Sequence, residues 1–518
     1  MRDRAEDLID RLELTLVEGG ERARGDERRP RGDELVDGGD LRRVAGVADQ
    51  HPAVHEEVAD RVVARLPALF EGDGGEEGRR EAGEFGFGVH RRQDSNLARM
   101  LPLSQSPAWQ QQRAFYEDRA SEAFAEIPHE AVDNPWVAAA YARVIEAFVR
   151  DQPVERVQIV ELGAGAGRFA HGLARALRLP FTYTLTDFAE SQLDDWRKHP
   201  ALEGFQFARV DLTGDIALDV SGPLVVIANY VFDSLPVDAF AVKDGVISEC
   251  LVDEDFRFTR RPATGYGDAD LDALLEHYRT ALDDTVFTIP TTAIRALRRL
   301  RELSGDRLLV LAADKSLNTE ESLAYRSEPE PARHSGAFSL MVNMHALGLD
   351  ARRHGGELLH GGDRHEALDV AALVFGAGDE TRAAYADAIE RFGPGDLATL
   401  TAGVERVADG LGVGEIVALL RLSGWDATTL HAVLGPLRDK AAEADPATQE
   451  DLRFALFETY DQHFAVPGDP DLPFAIGLLL YELQDYEDAI EFFEASLEQH
   501  GHDPATEKNI ELCEAMLE

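Results

Sequence analysis

Cysteine is scarce. The 518 residues hold two, Cys250 and Cys513, far apart and without ligand-spaced neighbours, which excludes a disulfide framework and a cysteine zinc site and suits a reducing cytoplasm. No run of about 18 apolar residues occurs, and the N-terminal MRDRAEDLIDRLEL has no apolar signal core. A soluble cytoplasmic protein with no membrane partner is expected. Positive charge is also short: 52 Lys and Arg face 97 Asp and Glu, a formal net charge of -45 spread along the chain. Nucleic acid and anionic membrane would both be repelled, so a solvated acidic surface is expected, with a basic protein partner as the sharper alternative. The patterns G-x-x-x-x-G-K, H-E-x-x-H and G-x-S-x-G are missing as well. The histidines between 352 and 365 have the glycine-rich spacing of a solvated loop, so no metal is expected.

The length fits roughly three units of about 150 residues. Residues 1–99 are short blocks of Arg, Asp, Glu and Gly with no Lys, Tyr or Trp. They are expected to be disordered, or not translated if synthesis begins at Met100. Residues 100–378 open with helical text: Ser106-Pro107 and Asn134-Pro135 each pair a cap with a proline at the first helical position. Short apolar runs (VQIVEL, FTYTLTD, FQFARVD, PLVVIAN, RLLVLAAD) then alternate with helical stretches. That rhythm predicts an α/β fold, a mostly parallel Rossmann-like sheet with helices on both faces. Residues 379–518 read as an all-α domain.

The informative stretch is VQIVELGAGAGRF, 157–169. A strand ending at Glu161-Leu162 runs into Gly163-Ala164-Gly165-Ala166-Gly167 and then a helix, the first βα turn of a nucleotide-binding unit whose bare backbone admits a ligand closely. A dinucleotide loop wants glycine at 168, where Arg168 stands. Glu161 suits a ligand with a cationic amino acid portion better than a pyrophosphate, which favours S-adenosyl-L-methionine over NAD. The next strand ends at Asp187, placed to accept ribose hydroxyls, and the third at Asp211, placed to meet the adenine amino group. The expected cofactor-binding set is Glu161, Gly163, Ala164, Gly165, Gly167, Asp187, Asp211 and Asn229.

The fourth strand leaves the sheet at Ala228-Asn229-Tyr230, and YVFDSLPVDAF follows. This stretch resembles the AN-acidic-x-x-D-A-L-P-V signature of the MidA family of class I methyltransferases, whose mitochondrial members methylate protein arginine during assembly of a respiratory complex. Asn229, Asp233, Leu235, Pro236 and Val237 match. Ser234 stands for the alanine and Tyr230 for the acidic residue. FAVKDGVISECLV resembles the family's hairpin, with Asp244-Gly245 as its turn. GAFSLMVNMHAL, 336–347, resembles its late D-x-T-x-H-V-D-F strand, with Met341 at the histidine and Asn343 at the aspartate. The resemblance implies methyl transfer from S-adenosyl-L-methionine, with Asn229 and Asp233 lining the reaction centre, although Asp233 could equally cap a following helix. His345 is a base by type, and a structural histidine by its place beside a strand.

Residues 470–504 carry a tetratricopeptide pattern of two antiparallel helices, with Gly477 and Ala489 small where helices pack and Tyr486, Phe493 and Leu497 filling between them. Such repeats recruit a protein partner or brace a domain. Two functions follow: a methyltransferase acting on a protein side chain held by the repeats, or a scaffold in which a methyltransferase fold and repeats bind proteins without catalysis.

Overall fold

A computed structural model describes residues 100–119, 123, 131–361, 368–376, 378–466 and 468–518. The expectation for residues 1–99 lies outside them. None of the described helices is long and apolar enough to cross a membrane.

Among the described residues, two α-helices precede the sheet, α1 (Pro107–Arg119) and α2 (Pro135–Asp151). Asn134 caps α2 as its sequence predicts, its side chain accepting from Val137 N at 3.0 Å with Pro135 in the first turn. The strands β1 (Val157–Leu162), β2 (Phe181–Asp187), β3 (Gln206–Arg209) and β4 (Leu224–Ile227) alternate with α3 (Arg168–Ala176) and α4 (Glu190–Trp196). A hairpin of β5 (Asp238–Lys243) and β6 (Val246–Val252) follows, with β7 (Phe258–Pro262), α5 (Ala269–Ala281), β8 (Thr285–Ile289) and α6 (Thr291–Ser304). The sheet is completed by β9 (Leu308–Asp314), then α7 (Met344–Arg353), β10 (Gly356–Leu359) and β11 (Asp369–Phe375).

The seven-stranded sheet has the order β10-β11-β9-β4-β1-β2-β3. β11 runs antiparallel to both neighbours while the five strands beyond it are parallel. The order reverses between β1 and β4, which opens a crevice at their carboxyl ends, the usual ligand position in such sheets. The strands are apolar on both sides because both faces are covered. Ile159, Val225 and Leu309 face α2 and α3, whereas Val160, Val226 and Leu308 face α5, α6 and α7. β5, β6 and β8 form a second, antiparallel sheet with β7 and Leu101–Pro102 on β6. Its turn is the expected Asp244-Gly245, both at positive φ, 49° and 70°.

The late strand expected over 336–347 is different. Only Ala337–Ser339 and Val342–Asn343 are extended, and the chain turns helical at Met344. Asn343 is the reason: its side chain accepts from Ala346 N at 2.9 Å and caps α7.

Residues beyond Asp379 are helical. α8 (Asp379–Tyr385) is followed by α9 (Pro394–Glu405), α10 (Val413–Leu422), α11 (Ala427–Ala432), α12 (Leu434–Lys440) and α13 (Pro446–Gln462). Then come α14 (Leu472–Glu482), α15 (Tyr486–His500) and α16 (Pro504–Leu517). In the α14–α15 hairpin, a Cβ on Gly477 would lie 2.7 Å from the Phe493 ring, so only glycine lets the helices approach this closely. Ala489 and Phe493 are fully buried there, while Tyr486 and Leu497 are half-buried. This region is not a free appendage. Tyr385, Ala388, Ile389, Phe464 and Val466 belong to the same apolar core as α2 and α3. Phe464 stacks on His199, ring centroids 4.0 Å apart and planes 5° from parallel.

Candidate active site

The loop after β1 is bare and held from both sides. Gly163, Gly165 and Gly167 all have positive φ, at 56°, 54° and 93°, conformations that L side chains resist. Gly167 is further constrained, because a Cβ would come within 2.9 Å of Leu202. The Gly165 carbonyl accepts from Gln192 Nε2 at 2.8 Å and Trp196 Nε1 at 2.9 Å, both on α4. Ala164 N donates to Thr186 O on β2 at 3.1 Å. The loop is thereby fixed before any ligand arrives.

Carboxylates stand at successive strand ends. Glu161 is buried and accepts from Tyr183 Oη at 2.8 Å, and burial pushes its carboxyl up to about 8 despite that bond. Asp187 accepts from Ala189 N at 2.9 Å, with burial raising it to about 6. Asp211 is held bidentately by Arg113, at 3.1 and 3.0 Å, and accepts from Thr213 N and Oγ1. Arg113 also lies 4.3 Å from the centre of the Phe188 ring.

Those contacts lay α1 across the strand ends. Gln112 Nε2 donates to Ser234 O at 3.3 Å and its Oε1 accepts from Phe338 N at 3.1 Å, while Ser191 Oγ donates to Glu117 O. Tyr116, on the same helix, has its phenol held protonated by burial and by the Asp233 and Asp187 charges. One helix thus joins the Asp187–Asp211 side of the crevice to the Ser234 side. The sequence expectation of helices covering the sheet did not single out Arg113, Tyr116, Gln192 or Trp196, since their roles arise between distant segments.

At the end of β4, Asn229 Oδ1 accepts from Tyr141 Oη at 2.8 Å, and its Nδ2 is buried with no partner among the described residues. Tyr230 adopts φ 54°, uncommon for a residue with a Cβ. Asp233 is buried in the single turn Phe232–Ser234, accepting from Ser234 Oγ at 3.0 Å; a strand follows, so it caps no long helix. Asp314 ends β9, fully buried, with Oδ1 3.4 Å from Asp233 N and Oδ2 without a partner among the described residues. Burial raises Asp233 to about 6; burial and then the Asp233 charge hold Asp314 well above the carboxylate range. Both carboxyls of the pair are thus raised, and each disfavours ionisation of the other. Asp314 ends RLLVLAAD, a further strand closing on an acid, a signal present in the sequence but not read.

His345 makes a poor base here. Its Nδ1 lies 3.0 Å from Tyr278 Oη, and burial, followed by the Arg352 charge, lowers it to about 4. Asn343 is fully buried and structural, its Nδ2 donating to Thr288 O at 2.8 Å. Met341 lies on Arg326.

The crevice fits S-adenosyl-L-methionine in kind. A bare loop, a strand-end carboxylate for a ribose at Asp187 and an orphaned amide donor at Asn229 suit a nucleoside joined to an amino acid.

Residues 137–314, about a third of the chain, match the model of a family described as "Putative S-adenosyl-L-methionine-dependent methyltransferase". The span runs from α2 through Asp314 and includes every residue expected at the site. A comparison with curated proteins finds no match. Among solved structures, a Burkholderia thailandensis protein bound to S-adenosyl-homocysteine is 16% identical with a TM-score of 0.41, covering 56% of this chain and 92% of its own. A native Burkholderia thailandensis structure gives 16%, 0.40, 55% and 91%. The CcbJ methyltransferase from Streptomyces caelestis gives 15%, 0.29, 50% and 97%. With the strand order above, the family match supports a class I methyltransferase, and the cofactor of that family is the expected S-adenosyl-L-methionine.

Proposed function

We propose that the protein transfers a methyl group from S-adenosyl-L-methionine to a protein side chain, with Asp233 as the proton acceptor. The observation that carries this reading is the buried Asp233–Asp314 pair beside Asn229, at the carboxyl ends of β4 and β9. Val231 links it to the loop, lying 3.3 Å from where a Gly163 Cβ would stand.

When bound, the cofactor supplies an electrophilic methyl group on a sulfonium. The loop from Gly163 to Gly167 and Glu161 would hold its amino acid portion, Asp187 would take the ribose, and Asn229 Nδ2 would be available to the methionyl end. Asp211 meets the adenine edge only after sharing or releasing Arg113. An acceptor N–H or O–H that takes the methyl group, with S-adenosylhomocysteine leaving as the S–C bond breaks, would shed its proton to Asp233, one carboxyl of the coupled pair. Proximity and alignment under α1 do the rest. The helical region braces α3 and presents helix surfaces to which a protein substrate is recruited.

The test is calorimetric titration of S-adenosyl-L-methionine and S-adenosylhomocysteine into the full chain and into Gly165→Arg. Micromolar binding abolished by the variant is expected. A folded protein that binds neither would overturn the reading in favour of a scaffold.

A further inference from the structure

Away from the crevice, three potential ligands converge. His277 on α5, Glu320 in the turn after β9 and His345 in the first turn of α7 each place one ligand atom within 4.8 Å of the other two, and all three are half-buried. His277 Nε2 lies 2.7 Å from Glu320 Oε2, and the two imidazole centroids are 6.0 Å apart.

The surroundings fix the histidine that matters most. Asn343 is oriented by its Nδ2 bond to Thr288 O and by Ala346 N donating to its Oδ1. Tyr278 Oη, fully buried, lies 3.4 Å from that Oδ1 and 3.0 Å from His345 Nδ1; with its one proton toward Asn343, its oxygen accepts from His345 Nδ1. A proton on Nδ1 puts the His345 lone pair on Nε2. A histidine that donates one nitrogen to a fixed partner and offers the other is the arrangement found behind metal ligands. In that tautomer the chain Asn343–Tyr278–His345 orients His345 as such a partner orients a metal ligand.

We propose that His277, Glu320 and His345 form a site for a divalent transition cation of the zinc class, with two nitrogens, one carboxylate oxygen and a fourth position open to water. Two imidazoles disfavour magnesium and calcium, which prefer oxygen. Metal bonds of about 2.0–2.1 Å in a tetrahedron set ligand atoms about 3.4 Å apart, so the ion enters by opening the 2.7 Å His277–Glu320 contact. The site staples α5, the Glu320 turn and α7 together. Both ligand-bearing loops leave from the reaction side: Leu340 N donates to Asp233 O at 2.9 Å, and Val342 N to Lys315 O at 2.8 Å. The proposal does not depend on the methyltransferase reading.

Zinc is titrated calorimetrically into chelator-treated full-length protein with millimolar magnesium present to occupy the acidic surface, and cobalt absorption reports four-coordination. One equivalent is expected, weakened by about 100-fold or more in His345→Ala and in the near-isosteric Glu320→Gln, and by about 10–100-fold in Tyr278→Phe. S-adenosylhomocysteine binding and circular dichroism, unchanged in Glu320→Gln, show that the fold survives. Absence of a stoichiometric site, or binding that Glu320→Gln and Tyr278→Phe leave unchanged, would overturn the proposal and assign the ions to surface carboxylates.

Discussion

Arg168, the first residue of α3, is ion-paired with Asp469 just ahead of α14, 301 positions along the chain. The residue that departs from a dinucleotide loop therefore fastens the cofactor loop's helix to the helical region. The side chains are 18% and 25% exposed, and Asp469 also accepts from Val466 N at 3.2 Å. Removing one partner leaves a partly desolvated charge. Asp469→Ala is expected to destabilise by about 1–3 kcal/mol and to weaken S-adenosylhomocysteine several-fold. Thermal melts with calorimetry check both; a lowered Tm with unchanged affinity would mean that the pair braces the fold without shaping the loop.

Phe464 reports the same junction through packing. It is buried between His171 and His199, and truncation to alanine leaves a cavity worth about 3–5 kcal/mol. Chemical denaturation should show one cooperative transition shifted as a whole. Separate unfolding of the helical region at unchanged sheet stability would contradict a shared core.

The carboxylate pair predicts a pH profile. Activity should rise along an acid limb near pH 6 as Asp233 ionises. Asp233→Asn should lower kcat by about 10²–10⁴-fold. Asp314→Asn places a permanently neutral partner beside Asp233, so it should keep the activity and the limb. Both acids are raised in the fold, so the native state holds more protons than the unfolded chain above the ordinary carboxylate range, and stability falls as pH rises through their folded values. Asp314→Asn is therefore expected to be the more stable protein in alkali, as urea denaturation at two pH values would reveal.

Glu161 carries the same sign over a wider window. Its rise from 4.5 to about 8 makes stability decline between those values, by about 1.4 kcal/mol per pH unit for one proton. Glu161→Gln should flatten that slope. If cofactor charge ionises Glu161, calorimetry in buffers of different ionisation enthalpy at pH 7 will register about one proton released on binding, a release the variant loses.

Gly167→Ala tests the loop. Positive φ and a 2.9 Å approach to Leu202 act together, so more than about 1 kcal/mol of stability is expected to be lost, together with cofactor binding. A variant that melts like the parent would show that the loop relaxes.

Much of this arrangement could be read along the chain because it is local. Strand runs ending in Glu161, Asp187 and Asp211, the Asp244-Gly245 turn and the Gly477–Phe493 approach all declare themselves through spacing over a few dozen residues. What escaped is long-range. Arg113 meets Asp211 98 positions away, and Arg168 meets Asp469 301 positions away. The strand expected to include Asn343 rests on the resemblance to the family's late strand, yet a short amide side chain at that place stops the strand by capping the next helix. The assignment of Phe464 to the sheet's own core has no periodic signature, since it lies in a connecting segment.

That late core contribution bears on synthesis. A ribosome releases the sheet's strands long before Phe464 and Val466, and at about 5–20 residues per second the interval from His171 is tens of seconds. Throughout it the apolar face around His171 and His199 stands open to water. Nascent chains are most vulnerable to association at that stage, and a stalled or prematurely terminated message would yield a polypeptide with its cofactor loop present and its rear wall missing.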